Sequence, residues 1–412
     1  MPLSSQPRAL RHLLLATVED AFDAKSWSGI PFSLRSALER QVERVSVFRP
    51  GLPSRHPIDV FLRLYHGGEP PSYPLHLTEA TFRKNARELR AEISRVQPDA
   101  VLSISSPCII GLGPVKPPVT MFSDAPWQAW HETYRGTISR PVMFDRVARE
   151  EAETARTLDG LCFGSQWAVE EGVRLYSGGD PAMAQRLRGR SYVTPLGANW
   201  VPQLSRQQVL SRVHDRNIAG QELRLLFVGK DWARKGGPMA VEVTQALRAA
   251  GINARLHVVG CRPQLPPGAA EYIAVHGQLY QTHPEESAVL AELFMNAHFL
   301  LVPTTAECYG IVFAEAQAFA LPPVSRAVQA LSTVVEDGRT GVLLEAKAPA
   351  SAYVERILAL RADPAAYVRM AVAARERYES LLSWDSTAAG IVRALGQTLE
   401  RQEAGSLATA AV

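Results

Sequence analysis

Short apolar runs alternate along this chain with longer stretches whose apolar positions recur every three or four residues. That alternation predicts strands joined by helices, and so parallel α/β sheets. In the first half the runs Leu13–Val18, Val45–Phe48, Ala100–Ile104, Val119–Phe122, Gly160–Phe163 and Tyr192–Pro195 predict strands. Between them Thr78–Val96 has helical periodicity and should stop before Pro98. The loop Lys25-Ser-Trp-Ser-Gly-Ile-Pro-Phe32 leads into a helix expected over Ser33–Arg44. In that loop Gly29 marks either a close backbone approach or a plain strand–helix turn, and Pro31 suits a first helical turn.

The second half repeats the rhythm. Strands are expected at Leu223–Gly229, Arg255–Val259, Tyr272–Val275 and Phe299–Val302. Helices are expected from Pro238 to about Ala250, over Ala288–Asn296, Ala350–Leu360, Ala365–Leu382 and Thr387–Leu399. The polar interval between Gly197 and Glu222 carries no strand signal and reads as a linker.

At 412 residues the chain is too long for one core, so two domains are the expectation. Apolar residues at 46% and charged residues at 21% describe a globular protein. A net charge of +3, with no basic block interleaved with aromatics, argues against nucleic acid as a partner. A pI near 8.7 is compatible with peripheral contact to an anionic membrane. The start, Met1-Pro-Leu-Ser-Ser-Gln-Pro-Arg8, lacks the order of a signal peptide, and no run is long enough for a membrane span. Cys108, Cys162, Cys261 and Cys308 are scattered, without the spacing of a disulfide framework or a zinc site. A cytoplasmic setting follows as the expectation.

The chemistry concentrates in Pro303-Thr-Thr-Ala-Glu-Cys-Tyr-Gly-Ile-Val-Phe-Ala-Glu315. An expected strand leads into it and an expected helix leads out. Glu307 and Glu315 bracket the helix start, about 10–12 Å apart if the interval is mostly helical. Between them the backbone N–H groups of Gly310, Ile311 and Val312 lie at the positive end of a helix dipole, which is an anion site. The second concentration is Lys230-Asp-Trp-Ala-Arg-Lys-Gly-Gly237, a cationic loop at the end of a strand. It reads either as a diphosphate site or, for Lys230 and Arg234 in particular, as a solvated basic turn.

The frame Pro-Thr-x-x-Glu-x-x-Gly-Ile-Val-x-x-Glu-Ala around Glu307 and Glu315 resembles the Glu-x7-Glu motif of family-4 retaining glycosyltransferases. The resemblance implies the GT-B fold, two doubly wound Rossmann-like domains facing an interdomain cleft. It is strongest over Leu223–Glu345 and moderate over Gly160–Asn199, where Phe163-Gly-Ser-Gln-Trp and Thr194-Pro-Leu-Gly-Ala-Asn199 resemble family segments. The implied domains are an acceptor domain over 1–198, a hinge over 199–221 and a nucleotide-sugar domain over 222–383. A helix over 384–400 returns to the first domain, and a disordered tail covers 401–412.

The implied activity is metal-independent transfer of a sugar from a nucleotide-diphosphate donor to a saccharide or lipid-linked acceptor, with retention, in cell-surface polysaccharide or glycoconjugate synthesis. No cofactor and no metal is expected. Glu315 would hold the ribose; Gly310, Ile311, Val312 and Lys235 the diphosphate; Glu307 the donor sugar. Lys230 and Arg234 would add charge, and Gly29 would lie on a loop facing the cleft. The chain departs from the family three times, first at Lys230, which stands with slightly different spacing where an arginine often follows the strand glycine. Ser123-Asp124 stands where a histidine often does, so Asp124 either contacts the donor sugar or forms a turn. Val328-Gln-Ala330 stands where a Gly-Gly pair is common. Trp127, Trp130 and Tyr134 either face an acceptor sugar or pack together, and His131 reads as a solvated loop residue. Two rivals remain at this point, a GT-B epimerase and a non-catalytic GT-B partner protein.

Overall fold

The computed structural model describes residues 10–51, 78–134, 144–220 and 222–410. The Met1–Arg8 stretch lies outside them, as do the last two residues of the expected tail. The chain divides into two compact units. One runs to Leu196 and resumes at Trp384; the other is Gly197–Ser383.

The first unit is built on a parallel sheet of β1 (His12–Ala16), β2 (Arg44–Phe48), β3 (Ala100–Ile104), β4 (Val119–Ser123), β5 (Gly160–Phe163) and β6 (Ser191–Val193). Their order is β2-β1-β3-β4-β5-β6. Every residue of β3 and β4 is buried, as strands covered on both faces by helices require. The helix Glu79–Val96 opens on Thr78, whose side chain accepts the Thr81 N–H, and closes with Gln97 left-handed just before Pro98.

Two helices differ most from expectation. The helix after the first loop is Ile30–Leu38, not Ser33–Arg44. Gly29, left-handed at φ 80°, ends the loop at once, and Arg44 is claimed by β2. The terminal helix runs from Trp384 to Ala410, through most of the segment expected to be disordered. Side-chain anchors past residue 400 account for this. Arg401 donates to the Gly189 carbonyl at 3.0 Å and Gln402 to the Asp159 carboxylate at 3.0 Å, so the helix has something to hold.

The second unit has its own parallel sheet, formed by β7 (Glu222–Val228), β8 (Asn253–Val259), β9 (Ile273–Gly277), β10 (Phe299–Leu301), β11 (Pro323–Arg326) and β12 (Val342–Leu344). The order β12-β11-β10-β7-β8-β9 is the Rossmann order, with β7 as its first strand. The chain therefore switches direction across the sheet between β7 and β10, and loops leaving these two strands flank the switch point. Among the described residues no helix is long and apolar enough to cross a membrane.

Of the expected hinge 199–221, residues 199–220 are not a bare linker but fold with the second unit. They carry the helix Arg206–Asp215, opened by a reciprocal capping box between Ser205 and Gln208. Val209 and Val213 bury its inner face, and the Arg216 side chain is buried just beyond it. That guanidinium donates to the carbonyls of Met295, Phe319 and Ala320, at the C-terminal ends of two helices. A cation there satisfies orphan carbonyls and opposes the negative ends of both helix dipoles. Its own carbonyl accepts from His298 Nε2 at 2.7 Å, while His298 Nδ1 accepts the Arg224 N–H at 2.9 Å. Those two bonds fix the imidazole as the Nε2–H tautomer, and burial holds its pKa down at about 4. Arg216→Met should cost about 3 kcal/mol, because three buried carbonyls lose a charged donor. Urea denaturation of the full chain followed by tryptophan fluorescence measures it; a midpoint shift under a third of that size would show the anchor to be dispensable.

Candidate functional site

The loop after β7, Gly229–Gly236, lies against the loop after β10. Gly236 makes this approach possible: it is left-handed at φ 79°, and a β-carbon there would meet the Pro303 carbonyl oxygen at 2.0 Å. The loops are then stitched together. The Arg234 carbonyl accepts from the Thr305 N–H at 2.8 Å and from the Thr304 and Thr305 hydroxyls at 3.2 and 3.0 Å. In return Arg234 Nη1 donates to the Ala306 carbonyl at 2.8 Å. The Rossmann switch point is thus closed by hydrogen bonds between its two flanking loops.

This stitching delivers the charges. Glu307 is buried, 5% exposed, and one carboxylate oxygen takes both the Lys235 ammonium and, at 3.4 Å, Arg234 Nη1. Arg234 is shared with Asp231, whose carboxylate lies 3.4 Å from Nε. A carboxylate removed from water this far needs such partners, since an unpaired charge there would be costly.

Next to it the helix Ile311–Ala318 begins at Gly310, left-handed at φ 85° and with no side-chain cap. A β-carbon at Gly310 would lie 2.9 Å from Glu307 Cγ and 2.7 Å from the Phe313 ring, so only glycine lets the helix start this close to the carboxylate. The first N–H groups of a helix precede any i→i−4 bond. Those of Gly310, Ile311 and Val312 therefore form a bare positive end beside the Lys235–Glu307 pair.

Glu315 lies one turn along the same helix. Its carboxyl accepts the Trp200 N–H at 3.2 Å. Burial pushes it up to about 7, against the Trp200 N–H, the Lys235 charge and the Gln281 side chain, which all favour ionisation. Trp200 is itself stacked against Phe319, ring centroids 6.2 Å apart.

The second unit thus brings together Glu307, Lys235, Arg234 and the helix start at Gly310–Val312, with Glu315 within reach of the Lys235 field. Lys230 is exposed and takes no part in the Glu307 ion pairs, which belong to Lys235 and Arg234. The first unit holds Gly29 and Asp124. Gly29 is buried and caps its helix at the end of a run of three positive φ values, Trp27, Ser28 and Gly29. Asp124 follows β4, and its carboxylate accepts the Ala125 N–H at 2.9 Å, the bond of a turn former.

His131 is not solvated. It is 8% exposed, edge-on to Trp127, Trp130 and Phe144 at centroid distances of 4.2, 4.9 and 4.9 Å. Helical spacing puts it on the inner face of Trp127–Thr133, where aromatic contacts replace water. Trp130 in turn stacks on Trp127 and meets Tyr134 edge-on. Trp200 and Gln281 were not singled out from the sequence; they are neutral residues distant along the chain from Glu315, and only the fold shows their part.

Residues 222–363 match the model of the family described as glycosyl transferases group 1. The matched stretch lies within the second unit. A curated relative, the D-inositol 3-phosphate glycosyltransferase of Xylanimonas cellulosilytica, is 31% identical over 271 residues, 63% of this chain and 61% of that protein. The enzyme of the same name from Thermomonospora curvata is 33% identical over 177 residues, 40% of each chain. The chain thus spans between two and three fifths of the length of these relatives. Among solved structures, sucrose-phosphate synthase from Thermosynechococcus elongatus superposes with a TM-score of 0.64 at 19% identity, covering 96% of this chain and 100% of that one. Anabaena HepE in complex with UDP-glucose gives 0.55 at 12% identity, covering 95% and 99%. These likenesses establish the fold as the paired Rossmann-like α/β architecture of GT-B glycosyltransferases.

Glu315 should titrate near pH 7 in carbon-detected NMR of the glutamate carboxyls, and Lys235→Ala should raise that value further, because the ammonium favours the ionised form. The folded carboxyl keeps its proton above the value of an unfolded glutamate, so the stability it contributes is full below about pH 4.5 and is lost as pH rises through 7. A Glu315 resonance already ionised at pH 5 would show the burial to be overstated.

Proposed function

We propose that this protein is a retaining glycosyltransferase that moves a sugar from a nucleotide-diphosphate donor to a hydroxyl acceptor. The observation that carries the reading is the meeting of Lys235, Glu307 and the uncapped helix start at one Rossmann switch point, where doubly wound folds bind ligands. In this reading the donor diphosphate rests on the N–H groups of Gly310, Ile311 and Val312 and on Lys235. Glu315 takes the ribose hydroxyls and Glu307 faces the transferred sugar.

The chemistry follows from charge. As the anomeric carbon–oxygen bond breaks, its electron pair goes to the β-phosphate, and Lys235 with the helix amides stabilises that growing negative charge. The same groups do the work a metal would do, so the reading is metal-independent. The anomeric centre gains oxocarbenium character, which Glu307 offsets. The acceptor oxygen attacks from the face the diphosphate leaves, and its proton passes to the departing phosphate oxygen. Lys235 is drawn from Glu307 toward the diphosphate as the donor binds, since two phosphates outweigh one carboxylate.

Uridine nucleotides are the first donors to test, because HepE is described with UDP-glucose bound. The names of two similar proteins contain a phosphorylated polyol and a phosphorylated sugar. Phosphorylated polyols and sugars therefore belong in the acceptor panel beside oligosaccharides and lipid-linked saccharides; a place in surface polysaccharide or glycoconjugate synthesis is part of the proposal. Asp124 is proposed to act at the donor sugar in place of a histidine, and Arg234 to position Glu307 and Lys235.

The decisive experiment incubates the full chain with UDP-, GDP-, ADP- and dTDP-sugars, follows binding by thermal shift, and analyses products with and without acceptors. Transfer only with acceptor present is expected; conversion of the donor alone would instead indicate an epimerase. Lys235→Ala should lower turnover roughly tenfold or more, and Glu315→Ala should weaken nucleotide binding. Near-normal rates in the lysine variant would remove it from the mechanism.

A further inference from the structure

Gln329 stands on the strand-to-helix connection after β11, with φ +36°, in the left-handed region that a β-carbon disfavours. Something must hold it there. Its side-chain carbonyl oxygen accepts the backbone N–H of Glu307 at 3.1 Å, across 22 residues of sequence. An N–H needs an acceptor, so this bond also fixes which way the carboxamide points. The oxygen is committed to Glu307. The amide nitrogen has no hydrogen-bond partner among the described residues, and it is not among the buried polar atoms left unpaired. A strained residue thus presents two N–H donors from a side chain clamped to the main chain of a buried carboxylate residue.

We propose that Gln329 selects the transferred sugar, its amide N–H groups donating to a hydroxyl of the hexose beside Glu307. The inference rests on the glycosyl-transfer reading above and adds a residue that this reading did not use. The diphosphate already has Lys235 and three backbone amides, whereas the groups assigned above to the sugar end, Glu307 and Asp124, are both carboxylates and therefore acceptors. A hydroxyl both donates and accepts, so a fixed amide donor next to a carboxylate recognises one configuration of that hydroxyl and not its epimer. The clamp keeps the amide oriented whether or not a ligand is present, so less rotamer freedom is lost on binding.

The test uses the full chain and two variants, Gln329→Gly, which suits the positive φ, and Gln329→Met, which keeps the length but no hydrogen bond. The best donor from the panel and its single-hydroxyl epimer are compared by kcat/KM, and affinity for the nucleoside diphosphate alone is measured by calorimetry. Both variants should keep diphosphate affinity within about twofold while the preference between epimers falls about fivefold or more. Three results would overturn the proposal: an unchanged preference in the variants, an unsubstituted protein with no preference, or a diphosphate affinity that falls in step with the preference, the mark of a purely structural role. If the unsubstituted protein binds neither nucleotide nor nucleotide-sugar, it is the glycosyl-transfer reading that fails, and this inference with it.

Discussion

The second unit depends on a contact between charges that sequence places 72 residues apart, the Lys235 ammonium on the Glu307 carboxylate. Everything near the switch point serves it. Gly236 lets the two loops touch, the Arg234 carbonyl gathers three donors from Thr304 and Thr305, and the Arg234 guanidinium returns a bond to Ala306. Each bond is ordinary in strength, yet together they leave the ammonium little choice of partner. A buried ion pair of this sort is weak evidence for stability, because desolvation consumes most of its Coulomb gain. In the glycosyl-transfer reading its role is to place charge for an anionic ligand.

Much of this was legible in the sequence, and the reasons differ by element. β3, β4 and β5 are mostly apolar runs, with only Ser103, Thr120 and Ser123 polar, because both faces are covered, so no periodicity had to be guessed. β11 and β12 were not read as strands. They are short, and Pro322-Pro323 at one and Gly341 beside the other look like turns until a neighbouring strand is present. The helix Arg206–Asp215 is a different failure. Only Val209 and Val213 mark its inner face, so the hydrophobic signal is faint, yet the Ser205…Gln208 capping box stood in the sequence. Arg216 had no signal at all: nothing local tells a buried guanidinium from a solvated one. In the site, residue types and loop positions could be read, while partnerships such as Gln329 with Glu307 belong to the fold alone.

Glu307 and Glu315 share a helix start but not an environment, and the difference follows from their partners. Glu307 meets two cations. Glu315 meets neutral donors, a backbone N–H and an amide, and feels Lys235 only at a distance, so burial dominates and its carboxyl holds a proton near neutrality. In the proposed reading, the vicinal diol of a ribose would change that balance. Two hydroxyls bring two more donors to the same carboxyl, and each bond to the ionised form favours loss of the proton. Ligand and proton are then linked: a diol that binds the ionised carboxyl better than the neutral one must lower its pKa by the corresponding amount. In the glycosyl-transfer reading, one half of the motif is held ready by charge and the other would be made ready by the ligand.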